Sequence, residues 1–204
     1  MELIMKIIIL TSLLTLVSCG SFEAKRVGSK ESDEKALTIT NKWLAQDTEN
    51  VVQEVLAQMT KHKGYKRYRR NHGGVPTVFV GDVKNLTSEP YFPINDINDE
   101  FLNEISASGE FTLVDEAARE SILNEINYQN GDMVSEATRK EVGKQTGADL
   151  IIFGNVYMKP ASREGKTIKQ YSVNIRMTDI EKGVEVMRVR TKLSKYSEES
   201  KYGW

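Results

Sequence analysis

Cysteine occurs once in this chain, as Cys19 within LVSCG, and histidine twice, as His62 and His72. A lone thiol cannot close an internal disulfide, so crosslinking is excluded as its role. The two histidines lie ten residues apart in a charged, glycine-containing stretch, without His or Cys neighbours at metal-ligand spacing. Asp96, Asp99, Glu100 and Glu104 could supply a general acid and base, but their spacing is that of one solvated helix face rather than a glycosidase pair. No HExxH, GxSxG or GxxxxGK[ST] pattern occurs. Neither a catalytic set, a metal site nor a cofactor is implied, and the chain reads as a non-enzyme.

The surroundings of Cys19 point to a different chemistry. Residues 7–17, IIILTSLLTLV, form an uncharged and mostly apolar run preceded by Lys6. A membrane-spanning helix needs about 20 such residues, whereas the core of an export signal needs roughly 7–15. Leu16-Val17-Ser18-Cys19 resembles the lipobox of bacterial lipoproteins, aliphatic at −3 and small at −1. That resemblance implies a signal peptide over 1–18, cleavage before Cys19, a thioether-linked diacylglycerol on its sulfur and acylation of the new amino terminus. Each buried CH₂ contributes about 0.8 kcal/mol, and several chains together hold a protein at a membrane surface without crossing it. Met5 offers a second start, giving a cleaner MKIIIL.

Two stretches could make contact with a partner. Residues 61–74, KHKGYKRYRRNHGG, carry Tyr65, Arg67, Tyr68, Arg69 and Arg70 among six Lys/Arg. They read as a cationic loop suited to lipid phosphates, an anionic glycan or an acidic protein patch, or else as a solvated connection between a helix and a strand. Tyr91 and Phe92 lie between Pro90 and Pro93, two aromatics on a stiff segment. They fit either an interface hot spot or a lid folded back on the core. The formal net charge of −1 excludes the basic excess of a nucleic-acid binder.

The elements that must position these residues follow from periodicity. Residues 19–38 are polar and charged with no apolar period, a flexible lipidated tether that spans at most about 70 Å. A helix follows, with Asp47 as N-cap and Val51, Val52, Val55, Leu56 and Met59 on one face. VPTVFVGDV reads as a strand and KNLTSEPYFP as a loop. Ile97, Phe101, Leu102 and Ile105 mark a second helix ending at Gly109, and EFTLV a short strand. Asp115 caps a helix with Ala118, Ile122, Leu123 and Ile126 inward; Thr138-x-x-Glu141 opens another. LIIFGNVYM reads as a strand covered on both faces, with Gly154 allowing close packing, and KPASREGKT as a polar loop. IKQYSVNIRMTD alternates cleanly, DIEKG turns, and VEVMRVRTKL returns with a bulge near Val186 and Met187. The fold class is α/β: a single domain over 39–196, with a mixed sheet of four to five strands, part parallel and C-terminally antiparallel, flanked by helices. Residues 197–204 read as a tail.

Residues 78–156 carry a specific resemblance. Asn85-x-Thr87, Ser108-Gly109-x-Phe111 leading into Val114-Asp115, Arg119, Leu123, Gln129 with Gly131, Thr138, Gly143-Lys144, Gly147-Ala148-Asp149 and Gly154 are similar to LpoB-type lipoproteins, activators of penicillin-binding proteins. The turn TDIEKG fits as well. The same module resembles the N-terminal domain of TolB-like proteins and the core of curli-secretion lipoproteins. What the resemblance implies is a monomeric regulator, anchored by its lipid in the outer membrane and facing the periplasm. Its partner is a bifunctional penicillin-binding protein, whose small non-catalytic domain it binds and whose peptidoglycan synthesis it stimulates. Two features depart from that pattern: the tether is short and lacks the long Pro-rich stretch, and no family contact residue maps onto this chain. A curli-secretion-like subunit, or an envelope scaffold or adhesin, is the alternative reading.

Overall fold

The computed structural model describes residues 24–115 and 147–199, with positions 118, 124 and 127 between them. The elements follow in the order α1 Ser29–Ile39, α2 Ala45–Lys61, α3 Lys63–His72, β1 Thr77–Asn85, α4 Ile94–Ser108, β2 Thr112–Leu113, β3 Leu150–Arg163, β4 Lys166–Asp179 and β5 Glu185–Glu198. One sheet joins the strands in the order β2-β1-β3-β4-β5. β1 is parallel to β2 and β3, whereas β3, β4 and β5 pair antiparallel. Helices interleaved with the first strands produce the parallel pairs and direct turns the antiparallel ones, so the α/β class and the mixed sheet stand as expected.

Burial follows the apolar periods. On α2, Val51, Val52, Val55 and Met59 are buried; on α4, Ile97, Phe101 and Ile105 are. Gly109 ends α4 in the left-handed region at φ 65°. These two helices pack on each other and on one face of the sheet, α2 over β5 and α4 over β1. That face supplies Val78, Leu150, Ile152, Val156, Tyr171, Val173, Ile175, Met177, Met187 and Val189. Fully burying one such side chain contributes about 1.5–3 kcal/mol. A Cβ at Gly154 would collide with the Asn174 carbonyl and Ile175 Cδ1, so β3 and β4 approach as closely as only glycine permits. On β3 the opposite face is less covered than a two-sided core strand requires: Ile151 and Phe153 are half-buried and Tyr157 is exposed.

Register places the bulge. Met177 faces Met187, the next pair is Thr178 with Glu185, and Val186 is left over.

Several expectations need correcting. Part of the presumed irregular tether is α1, a helix without a buried residue and with a Glu31–Lys35 pair one turn apart. Asp47 is not the N-cap of α2. Leu44 is, with an extended backbone, and Asp47 Oδ2 accepts its N–H at 2.8 Å from the third helical position. Residues 61–74 are not a loop but mostly α3, whose covered side, Tyr65 with the half-buried Tyr68 and Arg69, the charge excess conceals. Residues 159–167 are not a loop either. β3 and β4 stay paired to Arg163 opposite Lys166, and Glu164 and Gly165 turn with positive φ. With both faces of that ribbon in solvent, no apolar alternation marks it. β5 continues to Glu198, into the presumed tail. Asp115 does cap, its Oδ1 accepting the Ala118 N–H at 3.0 Å. Residues 1–18 with Cys19, the rest of the helix after Asp115, the Thr138 capping box and the last residues of the tail lie outside the described residues.

Candidate functional site

The loop after β1 is built from short polar links. Asn85 Oδ1 accepts from the Thr87 N–H at 2.9 Å and from its hydroxyl at 2.7 Å. Thr87 Oγ1 then accepts the Glu89 N–H at 3.2 Å. Glu89 reaches inward: Lys169 Nζ donates to Oε1 at 2.6 Å and the Tyr171 hydroxyl to Oε2 at 2.9 Å. Burial, together with the Glu89 carboxylate, pushes the Tyr171 phenol well above its ordinary range, so it remains a neutral donor. Phe92 turns into the core, its ring 5.1 Å from Trp43 and 5.9 Å from Tyr171. Of the two readings for this segment, Phe92 follows the lid and Tyr91 does not: the Tyr91 residue is 93% exposed. It stands beside an apolar cleft of about 260 Å³ between Lys42, Trp43, Pro90 and Pro93. Glu89 and Phe92 on either side fix the backbone at Tyr91, while its ring stays in water.

The basic segment divides in the same way. His62 Nδ1 accepts the Gly64 N–H at 3.1 Å to start α3, and Gly73 ends it at φ 80°. Tyr65 is buried against Phe111, and its hydroxyl donates to the Glu110 carbonyl at 2.9 Å. Burial pushes that phenol up to about 12. Arg69 pairs with the Glu110 carboxylate. Tyr68 is half-buried and stacks on His72, whose Nε2 lies 3.4 Å from Asp149 Oδ2. Burial raises the Tyr68 phenol as well. Arg67 and Arg70 are left exposed. A cleft of about 530 Å³ opens between Tyr68, His72, Asp149, Asp179 and Lys182.

The two sets do not meet. α3 sits at the end of the sheet where β1 begins, the Thr77 N–H bonding Asp149 beside His72, while the Tyr91 loop follows the other end of β1. Nine residues of strand separate them by roughly 25–30 Å. Glu89 was not legible as an anchor, although side chains alternating toward the backbone at Asn85, Thr87 and Glu89 are a signal. The Asp47–Lys195 pair, 2.6 Å and nearly buried, joins α2 to β5 across a sequence distance no local pattern reveals.

Asp96 and Asp99 are exposed and Glu100 and Glu104 half-buried on α4, away from its buried stripe. Among the described residues no group of three or more His, Cys, Asp or Glu could hold a metal ion, and no helix is long and apolar enough to cross a membrane.

What the fold offers is an α/β module with an exposed aromatic on an anchored loop and a cationic helix surface. The family model described as peptidoglycan-synthase activator LpoB matches residues 47–192, and the chain belongs to that family. Solved structures similar to it include the LpoB C-terminal domains from Escherichia coli (13% identity, TM-score 0.44) and from Salmonella enterica (13%, 0.42). Both matches cover 72% of this chain and 98% of the other. The NMR structure of E. coli LpoB matches at 11% identity and TM-score 0.40, covering 90% of this chain and 84% of that one. No curated protein sequence matches.

Proposed function

We propose that this chain is a membrane-anchored lipoprotein that binds and activates a bifunctional peptidoglycan synthase, a penicillin-binding protein, and so regulates cell-wall synthesis. The observation that carries this reading is the family match across residues 47–192. The glycosyl transfer and transpeptidation belong to the partner. This chain lowers the free energy of the partner's active conformation by binding it more tightly than the inactive one. Cys19 carries the diacylglycerol and the acyl chain, residues 1–18 are removed, and the protein faces the periplasm from the outer membrane as a monomer. Tyr91, with Arg67 and Arg70, supplies contact area; Tyr65, Phe92, Tyr68 and Arg69 hold those contacts in position from within.

Binding is the direct test. The full-length chain, purified in detergent, is mixed with each bifunctional synthase of the same cell and complex formation measured by analytical ultracentrifugation. One synthase forms a complex in which this chain enters as a monomer. Absence of complex with every one of them contradicts the reading. Labelled palmitate fed to the cells enters the wild-type protein and is lost in Cys19→Ala; incorporation into neither removes the anchor.

A further inference from the structure

On the sheet face turned away from α2 and α4, the pairing of β4 with β5 lines up cations. Arg176 lies directly opposite Arg188, Asn174 opposite Arg190 and Ser172 opposite Lys192. Neighbouring strands are about 4.8 Å apart and same-face residues about 6.7 Å apart along a strand, so four cationic side chains share a small area of sheet. Like charges placed directly opposite on a sheet reduce its stability. The chain as a whole has a formal charge of only −1, so the concentration is local.

The arginines are also held. The Arg176 guanidinium lies 4.3 Å over the Phe153 ring. Arg190 Nε donates to Asn174 Oδ1 at 2.6 Å, and Asn174 Nδ2 donates to Asn155 Oδ1 at 3.1 Å. Arg188 donates twice to the Glu185 carboxylate, at 2.6 and 3.1 Å, and Glu185 is held below its ordinary range by that contact. Further along the same face Tyr157, Ile168 and Tyr196 are exposed, Ile168 and Tyr196 directly opposite one another. Around the β5 edge, Arg188 and Arg190 also line a groove of about 510 Å³ against Lys61 and His62 of α2.

We propose that this arginine ladder docks an acidic patch on a folded protein partner. The inference rests on the reading of the chain as a synthase activator and adds to the contacts at Tyr91, Arg67 and Arg70 a further face and the charge of the surface it meets. The Arg190 and Arg176 guanidinium groups, fixed by Asn174 and Phe153, match carboxylates in two-pronged geometry, which mobile lysines do not, while Glu185 already takes one edge of Arg188. Tyrosine and arginine on one flat face, with an isoleucine beside them, is the composition enriched at protein interfaces. Partner carboxylates supplement Glu185, the carboxylate that already pairs with this ladder at Arg188.

The test uses the full-length chain in detergent with the synthase it binds, and three double variants: Arg188→Glu/Arg190→Glu, Arg188→Gln/Arg190→Gln and Arg188→Lys/Arg190→Lys. Kd is measured by surface plasmon resonance at low and high salt, with thermal melts confirming the fold. The glutamate pair weakens binding by about tenfold or more, the glutamine pair by less, and the lysine pair least; wild-type affinity falls as salt rises. Should the glutamate pair unfold, the glutamine pair decides. Co-sedimentation with phosphatidylglycerol vesicles and with isolated peptidoglycan sacculi is the same for wild type and variants. Unchanged synthase affinity in a folded charge-altered variant overturns the ladder alone. So does a variant that keeps the synthase but loses vesicles or sacculi. A wild type that binds no synthase overturns the functional reading and the ladder with it.

Discussion

Tyr65 illustrates how one phenol ties a basic helix to the core. Its hydroxyl donates to the Glu110 carbonyl, and burial lifts its ionisation to about 12. In the unfolded chain a tyrosine ionises near 10, so between those values the folded state holds a proton that the unfolded state has released. Its contribution is complete below about pH 10 and is lost as pH rises towards 12. Urea unfolding followed by circular dichroism therefore gives a flat stability to about pH 10 and a fall above it, and Tyr65→Phe makes the fall shallower while costing about 1 kcal/mol at neutral pH. A slope identical in the phenylalanine variant would remove Tyr65 from that role. Lys195 and Asp47 act at the opposite end of α2. Lys195→Met leaves a nearly buried carboxylate without its cation and lowers stability by about 3–5 kcal/mol, read from the shift in urea midpoint. Pairing it with Asp47→Asn recovers much of the loss, although the Leu44 N–H then has a weaker acceptor.

Elements meet where two glycines permit it. The bulge at Val186 turns its carbonyl towards Gly64 in the first turn of α3, where a Cβ would collide with it. Gly64→Ala pushes α3 off β5, and hydrogen exchange across residues 63–72 rises while the β3–β4 strands stay protected; uniform protection would contradict this. Gly154→Ala instead strikes at the centre of the sheet and lowers the melting temperature of the whole domain by several degrees, about 1–3 kcal/mol. The core elements were legible because each carries a clean period: Val51, Val52, Val55 and Met59 in α2, and Tyr171, Val173, Ile175 and Met177 in β4. α3 was hidden because two tyrosines and an arginine stem form its covered side, and a count of charges reads that as solvent. The β3–β4 ribbon was hidden because neither of its faces is dry. Tyr91 and Phe92 show the limit at a site: adjacent aromatics in one loop take opposite fates, and what separates them is Trp43, far away in the chain. Tyr91→Ala is expected to leave the melting temperature unchanged while weakening synthase binding about tenfold.

For the whole molecule, the proposed reading has a small α/β domain working on a distant enzyme from a lipid anchor, and geometry limits how far it reaches. Folding ten tether residues into α1 shortens them from about 35 Å extended to about 15 Å, so the reach beyond Cys19 is at most about 50 Å rather than 70 Å. The partner's docking domain must lie within that distance of the anchoring leaflet. A rigid surface on a short leash also raises the local concentration of one binding partner at the other. In the proposed reading the chain contributes shape, an exposed tyrosine on an anchored loop and arginines held in place, and the reactive groups belong to the partner. The most direct measurement is the rate of lipid II polymerisation by the bifunctional synthase that binds the full-length chain. Addition of the chain should raise that rate on the order of fivefold, with no product from the chain alone. An unchanged rate with every bifunctional synthase of the cell, or lipid II consumed by the chain on its own, would contradict activation by contact.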